Sequence, residues 1–287
     1  MTIVIALRRD EEILLMADTK VTDANSTGPN IIPGRLKIVT IGPRVSVAFA
    51  GNADPAGVAL REARKELQHD GLVPAVEVLK QYSSDGTVDF LVAAHTPEIS
   101  LLRLRRGVSL EVADVCTLRH DDPFREDIDR ARVTHDSQSL AKSDLRSRFI
   151  DRLMTNRSDL GLHIGGIPIC VSAASSGHRY LGQTGIYTYK FPPLKAGQET
   201  HQPIEQVYTG DGHFQLSVVP SDADDVPVVG VCLLQARTGY VFSPIEQPEA
   251  FVIPLAPPTL EWEGHEQQMF GTLKAAIATH VDTVSDG

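Results

Sequence analysis

The chain has 287 residues, with 27 Lys and Arg against 37 Asp and Glu, and so a formal net charge of −10. A composition 42% hydrophobic and 22% charged supports a sizeable core and excludes general disorder. The acidic balance argues against a nucleic-acid partner and an anionic membrane surface, since both favour a basic face.

The first fifty residues read as strands. Thr2 to Leu7 is an apolar run rich in β-branched residues, and Glu12 to Thr19 is a second. The charged Arg8-Arg9-Asp10-Glu11 between them reads as a tight hairpin connection. Thr22 to Pro33 carries Asn, Gly, Pro and Ser and reads as a loop. Arg35 to Ile41 and Val45 to Ala50 follow as two strands around Gly42-Pro43-Arg44.

Then the period changes. Val58, Leu60, Ala63 and Leu67 form a helical stripe, with Asp54 as N-cap and Pro55 as first helical residue. A second helix is expected from Pro74 to Tyr82, and strands over Val88–Ala94, Ile99–Leu104 and Val108–Val115. Leu145, Phe149 and Leu153 mark an amphipathic helix from Ser139 to Thr155. Strands resume at Leu162–Val171, Gly177–Tyr189, His213–Val219, Val228–Gln235 and Gly239–Phe242. Five prolines between Pro244 and Pro258 predict a stiff linker, and Leu260 to His280 a last helix. Grouped strands separated by paired helices indicate an α+β arrangement rather than alternating βαβ units.

No apolar run is long enough to span a bilayer, and the N-terminus lacks the basic region of a secretory signal. Cys116, Cys170 and Cys232 are odd in number and widely spaced, which fits small buried hydrophobes in a reducing compartment. A cytoplasmic location is expected. There is no Walker loop, GxGxxG, HExxH or CxxC. Asp211-Gly212-His213 and Asp222 to Asp225 match no cation loop and read as turns. No metal and no cofactor are expected.

The chemistry points to the N-terminus. Thr2 stands directly behind Met1, and a small second residue generally permits removal of the initiator Met. A threonine so exposed carries nucleophile and base together, because its α-amine can take the proton of its own hydroxyl. That amine titrates near 8 when unperturbed, close to the range a general base needs. Asp18 closes the second strand and Lys37 sits in the third. A lysine beside the hydroxyl would lower its pKa, and an aspartate would hold that lysine. Gly51, between a strand and a helix, offers a backbone N–H for an oxyanion hole.

Thr2-Ile3-Val4, Leu14 to Lys20, Lys37-Ile38 and Ala48 to Asp54 resemble, in order and approximate spacing, the N-terminal blocks of proteasome β-type subunits and their simpler bacterial relatives. The resemblance is clear over residues 2–70, extends to about 175 and is silent beyond. It implies a four-layer αββα sandwich and an N-terminal nucleophile hydrolase of the threonine type. Thr2 would be the nucleophile, Lys37 would tune it, Asp18 would support Lys37, and Gly51 would donate to the oxyanion. It also implies a peptide or protein substrate and self-association into a ring or dimer; any ATPase partner is unknown. The domains expected are a core over 2–175, a β-rich extension with the Pro-rich linker over 176–258, and a helix and tail over 259–287.

The chain departs from the family in the outer support. Where a Gly-Ser-Gly turn is usual, Cys116 to Asp121 has Thr117 with no flanking glycine. Where an aspartate precedes a Ser-Gly pair, Asp159 comes early and Ile164 replaces the serine. Two alternatives therefore stand beside the peptidase: a catalytically inactive ring or scaffold protein, and an amidase acting on a small non-peptide amide.

Overall fold

The structure is a computed structural model that describes residues 3–20, 34–119, 124, 126, 128–129, 138–155, 166–191, 210–222, 226–247, 249–255 and 265–285. Among these the chain is mixed α+β, with three antiparallel five-stranded sheets and four long helices.

The first sheet starts from the expected hairpin, β1 (Ile3–Arg9) and β2 (Glu12–Ala17), paired Val4 to Ala17 through Arg9 to Glu12. The second contains β3 (Ile38–Gly42), β4 (Val45–Gly51), β5 (Val88–His95), β6 (Ile99–Arg105) and β7 (Val108–Glu111), in chain order. Between β4 and β5 lie α1 (Ala53–His69) and α2 (Leu72–Ser83). The N-cap of α1 is Asn52, not Asp54: the Asn52 side chain accepts from the Asp54 N–H at 3.2 Å.

The expected strand Val108–Val115 is two strands. β7 ends at Glu111, and the chain crosses to the first sheet as β8 (Val115–Arg119), beside β1. Next come α3 (Gln138–Thr155), β9 (Ile169–Ala174) and β10 (Gly177–Tyr180), which complete the first sheet in the order β10-β9-β2-β1-β8. This sheet thus extends past residue 175.

The third sheet runs in chain order through β11 (Gln183–Phe191), β12 (Gly210–Pro220), β13 (Val229–Leu233), β14 (Thr238–Phe242) and β15 (Phe251–Pro254). The expected strand Gly177–Tyr189 is therefore also two, in different sheets. Asp211 to His213 are in β12 rather than in a turn. Part of the Pro-rich stretch forms β15, an edge strand, where the missing N–H of proline is tolerated. The last helix, α4, covers Glu266–Ser285, about six residues later than expected at its start.

Alternation along the strands sorts the core. Val4, Ala6, Leu15 and Ala17 join Ala48, Ala50, Leu91 and Ala93 in one apolar cluster, so the first two sheets share an interior. Ile3, Ile5, Leu7, Leu14 and Met16 turn the other way, to Leu145, Phe149 and Leu153 of α3. Val47, Phe49, Phe90 and Val92 meet α1 and α2. In the third sheet, Leu216, Val231 and Tyr240 join the shared interior, while Cys232 and Val241 face Leu273 and Ile277 of α4. No helix among the described residues is long and apolar enough to cross a membrane.

Candidate active site

Toward the Val4–Ala17 end of their pairing β1 and β2 are apolar and buried, so the first polar group past that end is buried with them. Asp18 is that group, directly past Ala17 and fully buried. Its Oδ1 accepts from the Ile3 N–H at 3.2 Å, and its own N–H donates to Ile3 O at 3.4 Å. The carboxylate is thereby tied to the residue that follows Thr2.

Lys37 precedes β3, and its carbonyl accepts from the Phe49 N–H of β4 at 2.9 Å. Its ammonium is 2% exposed and donates to Asp18 Oδ1 at 2.8 Å and to Lys20 O at 2.5 Å. An ammonium has three N–H donors; the third has no acceptor among the described residues. Burial lowers the Lys37 pKa, and the Asp18 charge and hydrogen bond oppose that shift.

The segment carrying these acceptors is held from both sides. The Arg35 N–H donates to Thr19 O at 2.9 Å, and the Ile167 N–H to Thr19 Oγ1 at 2.8 Å. Gly166 has φ +83°, and a Cβ there would meet Thr19 Oγ1 at 2.5 Å. Only glycine lets this backbone pass so close to Thr19.

Gly51 ends β4 with φ +123°. The next N–H, of Asn52, donates to Thr87 O at 3.1 Å on the β5 side. By ladder alternation the Gly51 N–H points to the β3 side, past the start of β3 at Ile38. It stands two residues, about 7 Å along the strand, beyond the one opposite Lys37. The arrangement can therefore offer a buried cation and a backbone donor at one end of the shared interior.

Asp18 and Lys37 are brought together, and Gly51 is at the same sheet end. Thr117 is not brought to them: it sits opposite Ile5, while its neighbours Cys116 and Leu118 face the shared interior. Its side chain is therefore on the other face of the first sheet. Thr2 and Asp159 lie outside the described residues. The sequence reading missed Thr19 and the Lys20 carbonyl. Thr19 was legible as a hydroxyl after an apolar strand; a backbone carbonyl leaves no signal in residue type.

Other nucleophile candidates are poor. Burial pushes the Cys170 thiol up to about 11 and Cys232 to about 12, so neither is a thiolate near neutrality. Among the described residues, no group of three His, Cys, Asp or Glu is arranged to hold a metal ion. Compared with known proteins, the chain matches no family model and no curated protein.

Proposed function

We propose that this chain is a threonine-type N-terminal nucleophile amidohydrolase, acting on peptide bonds. Thr2, freed by removal of Met1, attacks an amide carbonyl, and its α-amine takes the hydroxyl proton. The observation that carries the reading is the buried Lys37–Asp18 pair at 2.8 Å, tied by Asp18 to the N–H of Ile3, the residue next to Thr2. The third N–H of Lys37 stabilises the threonine alkoxide, and the Gly51 N–H receives the charge that develops on the carbonyl oxygen. The same reading takes the two facing sheets, with α1 and α2 outside one and α3 outside the other, as a four-layer αββα sandwich. It also takes the mature protein as a cytoplasmic ring or dimer.

The test begins with the intact mass of protein from its own cells. The reading expects the mass without Met1, labelling of Thr2 by an electrophilic threonine probe, and loss of peptide turnover in Thr2→Ala with the fold retained. Retained Met1 overturns it.

The position of Thr117 favours a second reading. With that hydroxyl on the far face of the first sheet, Thr117 does not stand in for the serine of the family's turn. An inactive scaffold that keeps the fold then predicts a free Thr2 amine without probe labelling.

A further inference from the structure

Past the last rung of β2, two side chains take the place of backbone carbonyls. The Asp18 N–H donates to Ile3 O at 3.4 Å, so the backbone of residue 18 faces β1 and that of residue 19 faces the β9 side. Ala17 pairs with Ile169, and two residues further along each chain Thr19 stands opposite Ile167. A continued ladder would give the Ile3 N–H to Asp18 O and the Ile167 N–H to Thr19 O. Instead the Ile3 N–H donates to Asp18 Oδ1 at 3.2 Å, and the Ile167 N–H donates to Thr19 Oγ1 at 2.8 Å.

The exchange at Thr19 frees its carbonyl for the other sheet. Thr19 O accepts from the Arg35 N–H at 2.9 Å, two residues ahead of Lys37. Thr19 is fully buried, and a Cβ on Gly166 would fall 2.5 Å from its Oγ1 and 2.9 Å from Lys20 N. Residue 19 is thus gripped from both sheets, and it lies between the two acceptors of the Lys37 ammonium, Asp18 Oδ1 and Lys20 O. With two of its three N–H groups fixed, a tetrahedral ammonium has one direction left for the third.

We propose that Thr19 is a positioning residue: by accepting from Ile167, its hydroxyl keeps Lys20 O on the Lys37 ammonium and so aims the third Lys37 N–H at the Thr2 hydroxyl. The inference rests on the hydrolase reading and adds to it a residue that touches no reacting atom.

The test compares the full chain with Thr19→Val, which keeps the shape and removes the hydroxyl, and Thr19→Ser, which keeps the hydroxyl. Thr19→Ala serves if the valine chain does not fold, since the smaller side chain leaves room for water at the Ile167 N–H. Loss of the Lys20 acceptor destabilises the charged ammonium, so the Lys37 pKa should fall by about one unit or more. Lysine 13Cε NMR reads this directly, with the Lys37 signal assigned by its absence in Lys37→Arg. In Thr19→Val, kcat on a peptide substrate should drop about tenfold or more with KM unchanged. The alkaline limb of its pH profile should move down with the Lys37 pKa, and Thr19→Ser should restore both. A purely structural defect lowers the yield of active protein and leaves that limb in place. Valine and alanine chains with the Lys37 pKa or the kcat of the unaltered protein overturn this inference alone. Absence of turnover in the unaltered protein overturns the hydrolase reading, and this inference with it.

Discussion

His95 and His178 meet in the shared interior, with Nδ1 of the first 2.8 Å from Nε2 of the second. Their tautomers follow by elimination. Glu11 O only accepts, so His95 Nε2 is the donor in that 3.1 Å bond and His95 Nδ1 must accept from His178. His178 Nδ1 then accepts from Ser46 Oγ at 2.9 Å, and Ser46 accepts from Thr40 Oγ1 at 3.3 Å. Every link runs in one direction, and both rings are neutral. Burial first, and the neighbouring His95 second, push His178 down to about 3. Burial also lowers His95, with Arg44 and Arg8 adding to the shift and Glu11 opposing it. A histidine held neutral in the fold and free to protonate when unfolded destabilises the fold as pH falls below about 6.5. Stability should therefore drop on acidification through pH 6, at up to about 1.4 kcal/mol per pH unit for each histidine. Most carboxylates titrate lower, so urea midpoints between pH 4.5 and 7 isolate the effect. His178→Gln, which keeps a donor and an acceptor, should flatten the slope, and an unchanged slope would show that another group carries it.

β10 does more than close the first sheet. The His178 N–H donates to Pro43 O at 2.9 Å, and the Tyr180 hydroxyl donates to Ile38 O at 2.9 Å while accepting from the Thr40 N–H at 3.4 Å. This short strand thus pins β3 of the opposing sheet one residue from Lys37. Burial raises the Tyr180 pKa, so the group stays a phenol that can donate. Tyr180→Phe strands a buried carbonyl and should cost about 1–3 kcal/mol, read as a lower denaturant midpoint with an unchanged m-value. A neutral substitution would mean that the backbone of β3 is held without the hydroxyl. Such ties explain what was legible. The continuous apolar, β-branched run Thr2–Leu7 and the period of 3.6 in Val58–Leu67 gave β1 and α1, because both signals are local in the chain. Asp18 and Lys37 stood out because the first closes an apolar strand and the second sits within one. The crossings after Glu111 and Tyr180 were missed because no glycine or proline marks the first, and because sheet membership depends on partners far along the chain. The histidine pair was missed for the same reason, its members being 83 residues apart.

Whether residues beyond 175 form a separate unit is a question about the core of the whole molecule. Leu216, Val218, Val229 and Phe242 belong to the same apolar cluster as Val4 and Leu91, so the third sheet shares its interior with the first two. Its other face is closed by α4, which two glycines admit. A Cβ on Gly230 would meet Ile277 Cδ1 at 2.6 Å, and one on Gly239 would meet Leu255 at 2.8 Å and Leu273 at 3.0 Å. Apolar burial on both faces couples the third sheet to α4 on one side and to the shared interior on the other. Calorimetric unfolding should accordingly show one transition, with calorimetric and van't Hoff enthalpies in agreement. Gly230→Val forces a methyl pair into Ile277 and should cost about 1–3 kcal/mol. It should lower that single transition instead of splitting it. Ile277→Ala alone opens a cavity, yet in the Gly230→Val background it should recover about half of the loss, because the valine occupies the space. A separate early transition in Gly230→Val would mean that the third sheet and α4 unfold as a unit of their own.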